Sequence, residues 1–256
     1  NNAPMLLVGR KSIPGEQPKD FVTWIKAQGP KANFAHGGIG TNSHLCGVMM
    51  GNVLGFKPTF GRIDRRGASP AASSLDCIGP FACSVGMIEK AMAVIDPTFV
   101  PHGMDVTARL GFLMPGDAPD PAMAEAVQAL SASEPTGMPV TLSLFDDAFK
   151  AGMIVIGYET AAAFGHFLDE GAPLGADVKA RLAAARTLPA AEVAWAETVR
   201  TRFTAEVDAV LEQVDFIVTP ALPLPPPLLE EASDPAKVLS LTRYLRPFNL
   251  SGHPAI

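Results

Sequence analysis

The chain of 256 residues has few cysteines, no excess of positive charge and no long apolar run, and each shortage removes a class of function. Its three cysteines, Cys46, Cys77 and Cys83, form neither an even disulfide framework nor a metal-ligand spacing. Buried thiols in a reducing compartment are therefore expected. The 20 Lys and Arg stand against 26 Asp and Glu, a formal net charge of −6. That balance argues against nucleic acid as a partner, because phosphate binding needs a basic surface. The doublet Arg65-Arg66 reads as a solvated turn. No apolar run reaches the ~18 residues of a membrane span. The most apolar helical stretch, Met153–Phe164, is shorter than that and is interrupted by Glu159. The opening NNAPMLLVGRKS has no basic start followed by a long apolar region, so it reads as an interior strand rather than a signal peptide, and a cytoplasmic location is expected. Neither a Gly-rich phosphate loop nor an HExxH helix occurs.

What is present is core-forming. Hydrophobic residues make up 48% of the chain and charged residues 18%, which is globular rather than disordered, and the length suits one large domain or two small ones. The stretch Gly55–Pro80, GFKPTFGRIDRRGASPAASSLDCIGP, mixes prolines and glycines with Phe56, Phe60, Ile63, Leu75 and Ile78, which read as buried. Each Pro fixes φ and removes a donor and each Gly permits φ > 0, so this stretch is a path of turns and short extended pieces.

Around it the elements alternate. Met5–Val8 reads as a strand, and a helix starting at Pro18 stops at Gln28-Gly29-Pro30. Asn33–Ala35 is a short strand, and Thr41 or Asn42 caps a helix running to about Gly51. Ser84 caps a helix to Ile95 with Ile88, Met92 and Ile95 on one face, ended by Asp96-Pro97. Arg109–Met114 reads as a strand, Asp120-Pro121 as a helix start, and Val140–Leu144 as a strand. Helices follow at about Asp147–Asp169, Ala176–Thr187 and Ala190–Val214, the last with an apolar stripe of Trp195, Val199, Phe203, Val207 and Val210 that reads as core packing. Phe216–Pro220 is a buried strand entering the proline-rich loop Pro223–Pro227.

From Val53 onward the motifs GFKPTFGR, SLDCIGP, the D-x-x-x-TP-x-LP segment at Asp215–Pro223 and TRYLRPFNLSGHPAI at Thr242–Ile256 resemble the amidase-signature hydrolases. The resemblance implies hydrolysis of a carboxamide C–N bond, without metal or organic cofactor, by a Ser–Ser–Lys arrangement. A deprotonated lysine acts through a bridging serine to activate a nucleophilic serine, since a hydroxyl is a poor nucleophile until a base within reach takes its proton. Backbone N–H groups of a Gly-rich turn would form the oxyanion hole. The family's lysine sits in a VKD strand and its bridging serine in a GGSSGG loop; neither string occurs here, and Lys11 and Lys31 lie in other contexts. The family places its nucleophile twelve residues before the Gly of GFKPT, which from Gly55 gives Ser43, preceded by Gly40, Thr41 and Asn42. His44-Leu45-Cys46-Gly47 then stand where the family has an arginine and Pro-Ala. Arg62 and Asp76 match family positions that read as scaffold.

Residues of about 1–50, with MLLVGRKSIP, PKDFVTWIKAQGPKANFA and GIGTNSHL, resemble the solute-binding proteins of tripartite tricarboxylate transporters. There a Gly-x-Gly-Thr turn opening a helix helps to hold a ligand carboxylate, as unpaired N–H groups favour an anion. By the residues alone, GIGTN is equally a plain strand-to-helix turn, and Ser43 a first-turn helix residue. His36 lies on a loop within reach of Ser43, whereas His44 points ~100° away from it on a helix, and Cys46 falls mid-helix.

The expectation is an α/β protein with a mixed sheet flanked by helices, built like the amidase-signature fold but lacking its N-terminal half. Residues 1–52 would form a solute-binding-protein-like βαβα segment and 53–256 the amidase-like domain, a fused or truncated chain. Its ligand would be a small-molecule amide or carboxylate, with no nucleic acid or membrane as partner. Catalysis would be incomplete for want of the Lys and bridging Ser; the alternative is a non-catalytic carboxylate-binding or interaction module. Missing central strands would leave sheet edges open to self-association.

Overall fold

The structure, a computed structural model, describes residues 54–70, 72–82, 84–101, 108–115, 120–134, 136–224 and 239–256. The expected strands and helices before Val53 lie outside them. The described residues fall into two compact units, one of residues 54–67, 76–101 and 254–256 and the other of residues 68–75 and 108–253.

In the smaller unit, strands β1 (Leu54–Gly55) and β2 (Phe81–Ala82) pair antiparallel, with Leu54 opposite Ala82. Helix α1 (Val85–Ile95) starts where the sequence places it, because the Ser84 hydroxyl accepts the Met87 N–H at 3.4 Å. Ile63, Ala82, Ile88 and Met92 form its buried core, with Phe56, Met87 and Phe99 packed against them. Ile95, expected on the same face, is 36% exposed. Phe60 and Ile78 also stay exposed.

The larger unit carries a three-stranded parallel sheet in the order β4-β3-β5, made of β3 (Leu110–Leu113), β4 (Met138–Val140) and β5 (Phe216–Val218). Helix α2 (Pro121–Ser133) connects β3 to β4. Helices α3 (Phe145–Phe164), α4 (His166–Asp169), α5 (Ala176–Ala185) and α6 (Ala190–Leu211) connect β4 to β5, and α7 (Arg246–Ser251) follows. The α/β class read from the sequence holds. Two boundaries differ. The strand expected at Val140–Leu144 lies at Met138–Val140, because the Leu142 and Phe145 side chains turn inward to start the helix. The helix expected to run to Asp169 divides at Gly165.

Ala148, Ala151 and Ala196 are fully buried, so α3 and α6 approach closely, and Phe145, Phe203, Phe248 and Tyr244 close the core with ring centroids 5.9–6.4 Å apart. Of the α6 stripe, Val199, Phe203 and Val207 are buried, whereas Trp195 is 39% exposed. Helix α3 has no side-chain cap of its own at Leu144. Glu206 of α6 supplies one, its two oxygens accepting the Ser143 and Leu144 N–H groups, which satisfies donors that every helix start leaves open. Among the described residues no helix is long and apolar enough to cross a membrane.

Candidate functional site

The residues singled out for catalysis, Ser43 with the turn Gly40, Thr41 and Asn42, lie outside the described residues, as do Lys11, Lys31, His36, His44, Cys46 and Cys83. What the structure describes is the scaffold that follows them. The stretch 55–80 divides between the two units: 55–67 and 76–80 belong to the smaller, 68–75 to the larger.

In the smaller unit two family motifs meet. Lys57 N donates to Ala255 O at 2.7 Å and Ala255 N to Lys57 O at 2.9 Å, so the chain's last residues pair with GFKPT. Phe56 N donates to Pro80 O at 3.0 Å, closing the loop on itself. Gly79 is required there: a Cβ would run into the Phe56 carbonyl oxygen. Lys57 is only 8% exposed, and burial lowers its pKa, partly offset by nearby Cys77. Burial likewise pushes the Cys77 thiol up against the pull of Lys57 and Arg65, which keeps it a thiol rather than a nucleophilic thiolate. Pro58, Thr59, Ile63, Arg65 and Cys77 help to line a shallow surface depression.

In the same unit, Asp96 accepts from the Thr98 hydroxyl at 2.6 Å, the Thr98 N–H at 2.9 Å and Arg62 Nε at 2.7 Å. Those bonds, Thr98 first and Arg62 next, hold its carboxyl down at about 2. Arg62 is thus scaffold, as expected, and its partner is the residue that stops α1. Asp76 is exposed.

In the larger unit the serine run 73–74 is pinned from two helices. Ser74 N donates to Glu159 Oε2 at 2.9 Å, and Arg200 donates to Ser74 Oγ and Ser74 O, both at 2.7 Å, and to Leu250 O at 3.0 Å. Glu159, which breaks the apolar run of α3 in the sequence, is there to receive this turn. Ser73 is 7% exposed and its hydroxyl accepts the Leu75 N–H at 3.3 Å. The parallel strands start from another such pair: Asp215 accepts the Arg109 N–H at 2.7 Å and its guanidinium at 2.8 and 3.2 Å. Asp120 N donates to Pro223 O at 2.6 Å, so the TP-x-LP loop rests on the start of α2.

A Ser–His–Asp chain also occurs. His253 Nδ1 lies 2.9 Å from Ser251 Oγ and its Nε2 3.1 Å from Asp208 Oδ1. The Ser251 hydroxyl is shared with the Phe248 carbonyl at 3.3 Å, and Asp208 is 64% exposed, so the arrangement fastens the end of α7 to α6. Sequence reading missed all of these pairings except the roles of Arg62 and Ser84, because a long-range pair leaves no spacing to read. Among the described residues no group of His, Cys, Asp and Glu could hold a metal ion.

Comparison with known proteins places this scaffold. A family model described as Amidase matches residues 34–98 and 107–256. A glutamyl-tRNA(Gln) amidotransferase subunit from Methanothermobacter thermautotrophicus is 28% identical over 250 residues, covering 86% of this chain and 54% of the relative. The corresponding protein from Synechococcus sp. strain CC9605 is 28% identical over 269 residues, with the same coverage. Among solved structures, a chain of a vestigial protein complex described as revealing the evolutionary origins of an s-triazine catabolic enzyme superposes with a TM-score of 0.68 at 23% identity, over 87% of this chain and 53% of that one. A crystal structure described as an amidase superposes with a TM-score of 0.66 at 22% identity, over 79% and 50%. The chain therefore spans about half the length of the curated relatives it matches. The match begins at residue 34, inside the segment read as solute-binding-like, and the comparisons give that second resemblance no support.

Proposed function

The chain belongs to the amidase family, and from that premise we propose that it is part of a hydrolase acting on carboxamide C–N bonds. Ser43 is the nucleophile, and the backbone N–H groups of Gly40, Thr41 and Asn42 receive the oxyanion. The observation that supports this assignment is the position of the match: it starts at residue 34, so the turn 40–43 and the GFKPT…SLDCIGP scaffold fall in one matched segment. Ser43 Oγ would add to the amide carbonyl while a base takes its proton. The C–N bond then breaks as that proton passes to the leaving nitrogen, and water hydrolyses the acyl ester to carboxylate and free serine. The base is a lysine acting through a second serine, and both come from outside these 256 residues, since no VKD or GGSSGG string occurs in them. On this reading the stretch described here positions the nucleophile turn and the substrate side, and by itself does not turn over an amide.

Ammonia release from simple amides tests it. The 256-residue chain is expected to stay at the background rate. Turnover above background that disappears in Ser43→Ala would overturn the incompleteness while keeping the nucleophile. Turnover unaffected by that substitution would remove Ser43 from the mechanism. Among the described residues β4 and β5 each pair on one side only, which favours self-association of this stretch; a monodisperse monomer in light scattering would contradict it.

A further inference from the structure

The two outer edges of the sheet β4-β3-β5 are unlike. Phe112 of β3 stands opposite Pro139 of β4. Of two residues opposite each other in a parallel ladder, one bonds to both neighbours of the other, and the other turns its N–H and C=O away. Proline has no N–H to give, so Met138 and Val140 bond to β3 and Pro139 is the residue turned outward. The outer edge of β4 therefore offers no N–H at its middle residue, where a sheet tolerates proline. On the other side, Phe216 N donates to Arg109 O at 3.3 Å, which turns Phe216 and, by alternation, Val218 toward β3. Ile217 between them presents both its N–H and its C=O outward, and β5 ends the sheet on that side among the described residues. Phe216–Val218 is apolar and carries none of the lysines, prolines or charges that keep edge strands apart. Phe216 is 47% exposed. The acid beside it, Asp215, is engaged through its N–H on Arg109 O at 2.8 Å and through its carboxylate on the Arg109 guanidinium.

We propose that the β5 edge is a dimer interface, filled by β5 of a second copy running antiparallel about a twofold axis at Ile217. A single outward-facing residue fixes that register. Ile217 exchanges both hydrogen bonds with Ile217 of the second copy, Phe216 lies beside its Val218, and Asp215 falls opposite its Thr219 rather than opposite a like charge. The strand is its own complement, so a second copy satisfies the edge without any further segment. Pro139 leaves the far edges of the joined sheet closed, so association stops at two copies and does not run on into a fibre. Self-association as stated above thereby gains an edge, a register and an end point, none of which depends on the hydrolase reading.

Sedimentation across about a hundredfold range of concentration reads the mass. The unaltered chain is expected to pass from monomer to dimer and no further. Ile217→Pro, which gives β5 the blocked edge of β4, is expected to weaken the dimer about tenfold or more through the loss of two main-chain bonds. Phe216→Lys changes an exposed side chain and keeps the backbone donors; it is expected to weaken the dimer as well, and it serves if Ile217→Pro does not fold. Under mild oxidation Ile217→Cys is expected to add a covalent dimer, since this residue meets its own copy, whereas Phe216→Cys adds none. A monomer at every concentration would overturn both this interface and self-association itself. A dimer unchanged in either folded variant, species larger than the dimer, or equal cross-linking at 216 and 217 would overturn the β5 interface alone.

Discussion

The two units are built by opposite means. The larger is held by apolar burial between two long helices, with Phe203, Val207, Ala148, Ala151 and Ala196 at or near zero exposure. The smaller shows, among its described residues, a core of four buried residues and polar closure: a carboxylate with three donors, a two-way bridge between Lys57 and Ala255, and a backbone bond from Phe56 to Pro80. Small cores seldom stabilise themselves by area alone, so fixed hydrogen bonds, each contributing about 0.5–1.5 kcal/mol net, carry more of the specification there. Among the described residues, GFKPT lies in the unit with the smaller apolar cluster, while Leu75 of SLDCIGP packs in the larger core.

The largest test of that contrast is Phe203→Ala. It removes a fully buried ring from the α3–α6 core and is expected to cost about 3–5 kcal/mol, read as a lower urea midpoint. Amide exchange should rise in α3 and α6 and leave α1 unchanged; equal loss of protection in α1 would mean that the two units unfold as one. Arg200→Met comes next. It removes the donors to Ser74 and Leu250, at about 1–3 kcal/mol, and should loosen residues 73–75 before any helix. Glu206→Ala uncaps α3 and is expected to cost about 1 kcal/mol, visible as faster exchange at Ser143 and Leu144.

A pH series separates the two acid pairs. Asp96 and Asp215 are both held at about 2, below the ordinary value of 3.8, the first by Thr98 and then Arg62, the second by Arg109. For a depressed carboxylate the stabilisation is complete above the ordinary value and is lost as the pH falls from there toward the folded value. Asp96→Asn should therefore destabilise the smaller unit equally from about pH 7 to about pH 5, with the difference from wild type shrinking below about pH 4. Asp215→Asn should show the same window with a smaller amplitude, because Asp215 is 42% exposed against 5% for Asp96. An amplitude larger at Asp215 would reverse the contrast. The smallest effect belongs to Arg181→Ala, whose i,i+4 partner Asp177 is 46% exposed: its urea midpoint should match wild type.

Helix starts and stops were the most readable part of the sequence. Ser84 accepting the Met87 N–H, Pro121 at the first turn of α2 and the Val199–Phe203–Val207 stripe are local facts, decided by neighbours within four residues. The strand at Met138–Val140 was displaced by two residues because a short apolar run has no internal period to fix it. Trp195 continues the stripe in the sequence but is 39% exposed, because the buried face of α6 runs through Ala196 instead. What could not be read was every pairing across distance, Glu206 to Ser143, Arg200 to Ser74, Arg62 to Asp96, and the Nε of Arg246 left without a partner, because these depend on which helices meet. The turn 40–43 is placed only by its distance from Gly55, and it lies upstream of the described residues.

The bridge between Lys57 and Ala255 has a consequence for synthesis. Synthesis from the N-terminus exposes GFKPT early, yet Ala255, its bridge partner, is made nearly two hundred residues later. Residues 68–75 and 108–253, complete before that point, can settle around α3 and α6 first. The backbone groups of Lys57 must then wait, bonded to water, for residues 254–256 to dock.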